Sequence, residues 1–295
     1  MTTTELAEKS LPLRHQGWGG RLHRVPWLPV IIIGVTALAA ILADYVSPHS
    51  PIDVNLRERL LPPFWMPEGS TLHLLGTDQL GRDLLSRMIY GTRISLLVAV
   101  SSLAIGGGVG VVIGLISAYA GGWVDTVLMR VTDALLAIPI IFTALLFATI
   151  LGANLGTIVA AIAIGIWARY ARVIRGEALS LKERDFVAYA RVSGGASWYI
   201  MFRHLFPNVV ATFLVLISLQ VGWVIIVEAT LSFLGAGVPP PTPAWGSMVA
   251  SGRGYLLTAW WISLIPGVAI AIVVMSFNLF GDWLRDTLDP KLRQV

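Results

Sequence analysis

Residues 134–168 read ALLAIPIIFTALLFATILGANLGTIVAAIAIGIWA, 35 positions without a formal charge. Wound as one helix at 1.5 Å per residue, this stretch would be about 52 Å long, against a bilayer hydrocarbon core of about 30 Å. It is too long for one crossing. Its middle holds Leu151-Gly152-Ala153-Asn154-Leu155-Gly156, a segment rich in turn formers. The stretch therefore reads as two short helices joined by a tight hairpin.

On either side lie further uncharged stretches at 25–43, 94–124, 204–227 and 254–281, of 19, 31, 24 and 28 residues. A fifth, 229–252, is interrupted by Pro239, Pro240, Pro241 and Pro243 and reads mostly as a loop. The expected fold class is an all-α integral membrane protein. Its six transmembrane helices fall near 26–46, 94–118, 131–151, 156–172, 206–233 and 258–281, with both termini cytoplasmic. Composition agrees, since 56% of the chain is hydrophobic and 13% charged, about half the usual charged share of roughly 25%. Such a chain cannot coat a water-soluble surface, which excludes a soluble enzyme, a disordered protein and a fibrous repeat. The absence of Cys excludes disulfides and thiolate metal sites. A net charge of +4 is too small to imply nucleic acid.

Charge placement tests the hairpin. With the N-terminus inside and six crossings, 15 of the 21 basic residues lie inside, leaving Arg57, Arg59, Arg82, Arg87, Arg93 and Arg253 outside. Merging the hairpin into one helix reverses the bias after it, against the positive-inside rule. The leader carries Glu5 and Glu8 among its bases, so the first span reads as retained rather than as a cleaved signal.

The chain divides into a cytoplasmic tail at 1–25, a first span at 26–46 and an extracytoplasmic segment at 47–93. A five-span core follows at 94–282, and a cytoplasmic tail at 283–295. Within the extracytoplasmic segment, Leu80, Leu84, Leu85 and Met88 recur at helical spacing, which predicts an interfacial helix over 78–93. Gly106, Gly107, Gly108, Gly110 and Gly114 predict close helix packing along the second span. Pro139 predicts a kink in the third.

The inside loop at 172–205 reads as a helix, a break at Gly194-Gly195, and a second helix over 196–205 that ends before Pro207. Phe186, Val187, Ala190 and Val192 give the first helix an apolar side. That side can lie on the membrane surface or dock on a cytoplasmic partner, and residue type alone leaves both open.

At this loop the sequence resembles a known family. Ala188-Tyr189-Ala190-Arg191-Val192-Ser193-Gly194, thirteen residues before Pro207, resembles the "EAA" loop of ABC importer permeases. In that pattern Gly194 and Pro207 keep their places, whereas Ala188, Tyr189, His204 and Phe206 stand for the family's Glu, Ala, Ile and Leu. Asp185-Phe186-Val187 and Gly195-Ala196-Ser197 are similar to the peptide-importer variant. Three further blocks resemble the C-type permease of dipeptide, oligopeptide and nickel importers. They begin at Leu75-Gly76-Thr77-Asp78, at Glu228-Ala229-Thr230-Leu231 and at Phe277-Asn278-Leu279-Phe280.

The resemblance implies a permease subunit, not an enzyme, in a bacterial plasma membrane. Its partners would be a homologous second permease, two cytoplasmic ATP-binding subunits that bind ATP and Mg, and an extracytoplasmic solute-binding protein. Coupling to the ATPases would fall on Arg184, Asp185, Ala188, Tyr189, Ala190, Arg191, Gly194, Gly195, Ser197, Phe202 and Pro207. Peptides would be the cargo, with nickel complexes, glutathione or another small solute as alternatives.

The remaining chemistry is sparse. No Gly-x-x-x-x-Gly-Lys-Ser/Thr loop occurs, so no cofactor is expected in this chain. His15, His23, His49, His73 and His204 fall in no metal-binding spacing, and Asp78 with Asp83 matches no calcium template, so no metal is expected. Glu228 follows 24 uncharged residues, and a carboxyl at that depth faces a cavity or a partner group. Glu228, Ser232 and Asn278 are the pathway or gating candidates. A self-sufficient ion- or proton-coupled carrier is the competing class, but it would call for a chain of intramembrane acids or an internal repeat. A membrane enzyme would call for polar residues converging near one face.

Overall fold

The computed structural model describes residues 25–288. The tail expected over 1–25 lies outside the described residues except for Val25, as does the 289–295 part of the C-terminal tail. Ten helices carry the described chain: α1 (Trp27–Ile41), α2 (Ala43–Val46), α3 (Leu84–Ala120), α4 (Gly122–Ala137), α5 (Ile140–Leu151), α6 (Leu155–Lys182), α7 (Asp185–Val192), α8 (Ser197–Phe233), α9 (Trp245–Gly252) and α10 (Trp261–Leu288). Short 3₁₀ turns accompany them, and a Thr77–Asp83 bridge is the β feature among the described residues.

Four helices, α3, α6, α8 and α10, are long and apolar enough to cross a membrane, and α4 with α5 makes a fifth if the bent pair counts as one span. α1 is apolar but has 15 residues, about 22 Å of helix.

The break inside residues 134–168 is present between α5 and α6. Gly152 turns the chain with φ +81°, and the Asn154 side chain accepts from the Thr157 N–H at 3.0 Å to cap α6. At Pro139 the chain bends by 86° between α4 and α5. Ile138 is extended there, as a residue before proline prefers. The kink is thus close to a right angle, and its first arm starts at Gly122, ahead of the expected span.

Two expected breaks are absent. The separate interfacial helix over 78–93 is replaced by an irregular segment that runs into α3 at Leu84, and α3 continues without interruption to Ala120. Asp83 starts it by accepting from the Ser86 N–H at 2.8 Å. Arg87 does not end it, because that buried guanidinium reaches the Pro51 carbonyl at 2.9 Å and Asp78 at 3.5 Å. Likewise α8 passes through Pro207. The preceding turn, Ile200–Leu205, widens into π-helix, and the Phe206 N–H bonds to the Met201 carbonyl. Proline lacks the N–H that a regular ladder needs, and the wider turn accommodates that gap.

The glycines of the second span do pack helices closely. A Cβ on Gly106, Gly110 or Gly114 would lie 2.6, 2.5 and 2.7 Å from Ala163 O, Tyr170 Cβ and Ala171 O on α6. Spaced four apart, these three form one seam between α3 and α6. The main core is built on that seam by residues of α3, α6, α8, α9 and α10, among them Leu103, Ile162, Ile166, Ile225, Trp245 and Ile262. A second core joins Val111, Leu115, Ala118, Ile174, Ala178, Val187, Ile200, Leu205 and Val209. It lies where the ends of α3 and α6 meet α7 and the start of α8.

Candidate functional site

The 172–205 segment folds as an elbow on the second core. α6 runs on through Glu177 and Ala178 to Lys182, ten residues past the expected span end. Arg184 then precedes α7, and Asp185 stands in the first turn, where a carboxylate complements the helix dipole. Val187 is the anchor of α7, fully buried in the second core.

The end of α7 is a Schellman closure. The Gly194 N–H bonds to the Arg191 carbonyl at 3.1 Å and the Gly195 N–H to the Ala190 carbonyl at 3.0 Å. Gly194 sits at φ +78°, a conformation that costs an L residue about 1–2 kcal/mol. The chain can therefore reverse within three residues and re-enter helix at Ser197.

Outward from this closure the elbow shows aromatic and apolar side chains. Val192 is 88% exposed and Tyr189 74%, and Phe186, Trp198, Tyr199 and Phe202 are exposed beside them. Ala188, Arg191, Ser197 and Pro207 are exposed, whereas Ala190 and Gly195 are partly covered. The coupling residues read from the sequence thus form one contiguous bend, with Pro207 one turn further along α8. The His204 ring of α8 lies 6.3 Å from Phe186 of α7, bridging the two helices, and 5.6 Å edge-on from Tyr199 within α8.

Polar contacts fix the elbow to the bundle. The Lys182 ammonium donates to the carbonyls of Ala118 and Tyr119 at 3.0 Å each, filling acceptors that the end of α3 leaves open. Lys182 and Arg191 both lie over the Tyr119 ring, at 5.7 and 6.0 Å. Nearby, Arg175 grips Asp125 through two hydrogen bonds of 2.5 Å, tying α6 to α4, and Ser117 of α3 donates to the same carboxylate.

The second group of candidates is divided. Glu228 is fully buried. It accepts from Ser95 of α3 at 3.0 Å and from Ser232 at 2.7 Å, so it ties α3 to α8 within the chain. No cation pairs with it among the described residues. Asn278 is apart from this pair, exposed on α10 beside Gly222.

One cluster was not legible in the sequence. Folding of residues 47–83 places His49, His73 and Asp83 with their ligand atoms within 4.8 Å of one another. They come from positions too far apart for any spacing rule, and no local signal marks them.

Comparison with known proteins sets this geometry in a family. Residues 110–294 match the model for the binding-protein-dependent transport system inner membrane component. The dipeptide transport system permease protein DppC of Haemophilus influenzae is 40% identical over 283 residues, covering 96% of both chains. The protein of the same name from Escherichia coli is 41% identical over 265 residues, 90% of this chain and 88% of its own. The glutathione transport system permease protein GsiD of Pectobacterium atrosepticum is 42% identical over 252 residues, 85% and 82% of the two chains. With its apolar helix bundle and a family match over most of its length, the chain belongs to the inner membrane components of binding-protein-dependent transport systems.

Proposed function

We propose that this chain forms half of the translocation pathway of an ABC importer for di- or oligopeptides, and that the elbow at α7 couples it to cytoplasmic ATPases. The working assembly contains a homologous second permease, two ATP-binding subunits that hold ATP and Mg, and an extracytoplasmic solute-binding protein. In this reading α1 and the bent α4–α5 pair each count as a span, giving six crossings with both termini and the elbow inside a bacterial plasma membrane. The charge bias of the sequence supports that orientation. ATP hydrolysis belongs to the partners, and this chain contributes pathway and lever.

The observation that carries the proposal is the elbow's combination of a buried anchor, Val187, with the exposed Tyr189, Val192, Trp198 and Phe202. A face of this kind in water is a docking surface. Short helices held by a capped turn and a common core transmit displacement as a rigid body, which a floppy loop would absorb. Peptide cargo rests on the dipeptide transport named for the Haemophilus influenzae and Escherichia coli relatives. The glutathione named for the Pectobacterium atrosepticum relative supports a second reading, in which a small peptide-like solute is carried by the same machinery.

Reconstitution tests the proposal. Proteoliposomes holding this chain, its sister permease, the ATPases and the binding protein should take up labelled peptide only with ATP. Uptake by this chain alone, or labelling of Lys182 from the side opposite the ATPases, would refute it.

A further inference from the structure

We propose that His49, His73 and Asp83 form a binding site for a divalent transition-metal cation of the zinc type. Asp83 Oδ1 lies 2.9 Å from His73 Nδ1 and 3.8 Å from His49 Nδ1. Ligands at ~2.1 Å from one tetrahedral zinc stand about 3.4 Å apart, a value between those two separations. The His49 and His73 rings face each other at 4.8 Å and 36°. Two imidazoles and one carboxylate make a donor set suited to zinc and its neighbours, and a poor one for calcium or magnesium.

The surroundings are arranged as metal sites require. The far nitrogen of His73, Nε2, lies 3.4 Å from Glu58 Oε2, and the Asn55 amide holds that oxygen at 2.6 Å. A ligating histidine commonly donates its second ring N–H to such a carboxylate, which fixes the tautomer. The other ligands are also held. Ser86 donates N–H and O–H to Asp83 Oδ2 at 2.8 and 2.6 Å, leaving Oδ1 for the metal. The same hydroxyl accepts from the His49 N–H at 3.0 Å. His73 and Asp83 are buried, whereas the His49 ring is 39% exposed, which gives the cation an entry path and leaves a coordination position for water. On binding, the cation takes the place of a hydrogen bond between His73 and Asp83.

The test is a zinc titration of the untagged, metal-stripped full chain in lipid nanodiscs, read through a chromogenic competitor. One equivalent should bind. His49→Ala and His73→Ala should each weaken binding at least tenfold. Glu58→Gln should weaken it by about tenfold or more through the loss of its support to His73. Circular dichroism should be unchanged in His49→Ala, whose ring is partly exposed. Cobalt should give the visible spectrum of a four-coordinate nitrogen–oxygen site in the wild type and lose it in His49→Ala. The assignment is overturned if the wild type binds no zinc. It is equally overturned if either histidine variant binds as tightly as the wild type, or if the cobalt spectrum survives in His49→Ala.

Discussion

The Lys182 ammonium closes the end of α3 by donating to the Tyr119 carbonyl at 3.0 Å, with the Ala118 carbonyl at the same distance. A side chain at the last residue of α6 thus holds the last turn of α3, next to the elbow. A cation at a helix C-terminus is favourable both as a donor and through the helix dipole. Lys182→Met should cost about 1 kcal/mol, seen as earlier unfolding of the detergent-purified chain. Lys182→Arg should recover part of the loss. In the assembled transporter, Lys182→Met should lower the stimulation of ATPase activity by loaded binding protein more than it lowers basal hydrolysis.

Gly194 separates two effects. Gly194→Ala meets no neighbour within 4 Å but must adopt φ +78°, at about 1–2 kcal/mol. Gly194→Asn should cost less, because Asn tolerates that region. Gly194→Trp adds bulk to the exposed face and should abolish co-purification with the ATPases while membrane insertion survives. Retention of the ATPases by that variant would remove the elbow from the interface.

Helix contact along α3 gives a sharper pair. A side chain at Gly110 would strike Tyr170 Cβ at 2.5 Å and Trp167 O at 2.6 Å, whereas Gly108 has open space. Gly110→Val should destabilise the bundle by about 1–3 kcal/mol or more, and Gly108→Ala should be close to neutral. Thermal unfolding in detergent distinguishes the two. Equal effects would mean that α3 and α6 do not meet at this seam.

For Glu228, Glu228→Ala strands the hydroxyls of Ser95 and Ser232, at about 1–3 kcal/mol. Glu228→Gln keeps an acceptor and the volume, and should retain most stability. If transport nonetheless falls in Glu228→Gln while stability holds, the carboxyl acts on cargo or gating rather than only on the α3–α8 contact.

The sequence was most informative where a local rule operates alone. The hairpin was readable because Gly152 and Asn154 do what their chemistry favours, and the seam because small residues recur every fourth position. Reading failed where a distant partner overrules the local signal. Arg93 bounds an uncharged stretch on paper, but Asp44 and the Ala40 carbonyl receive its guanidinium within a continuous helix. Pro207 looks like a stop, yet a widened turn carries α8 through it. Coupling candidates were legible as a motif on helices, and the contacts that hold them were not, since Val187 is buried among residues of α3 and α6 and Lys182 bonds to the end of α3. The histidine cluster lay beyond sequence reasoning because three loop positions meet only after the chain has folded over the start of α3.

The glycine seam has a mechanical consequence. Where Gly106, Gly110 and Gly114 bring the backbone of α3 against α6, a short slip would drive bulkier side chains into space that fits no Cβ. α3 and α6 must then travel as one beam. Compliance is left to the right-angled joint at Pro139 and to the surfaces where long side chains interleave, so any gate in this bundle opens at its edges while its spine stays whole.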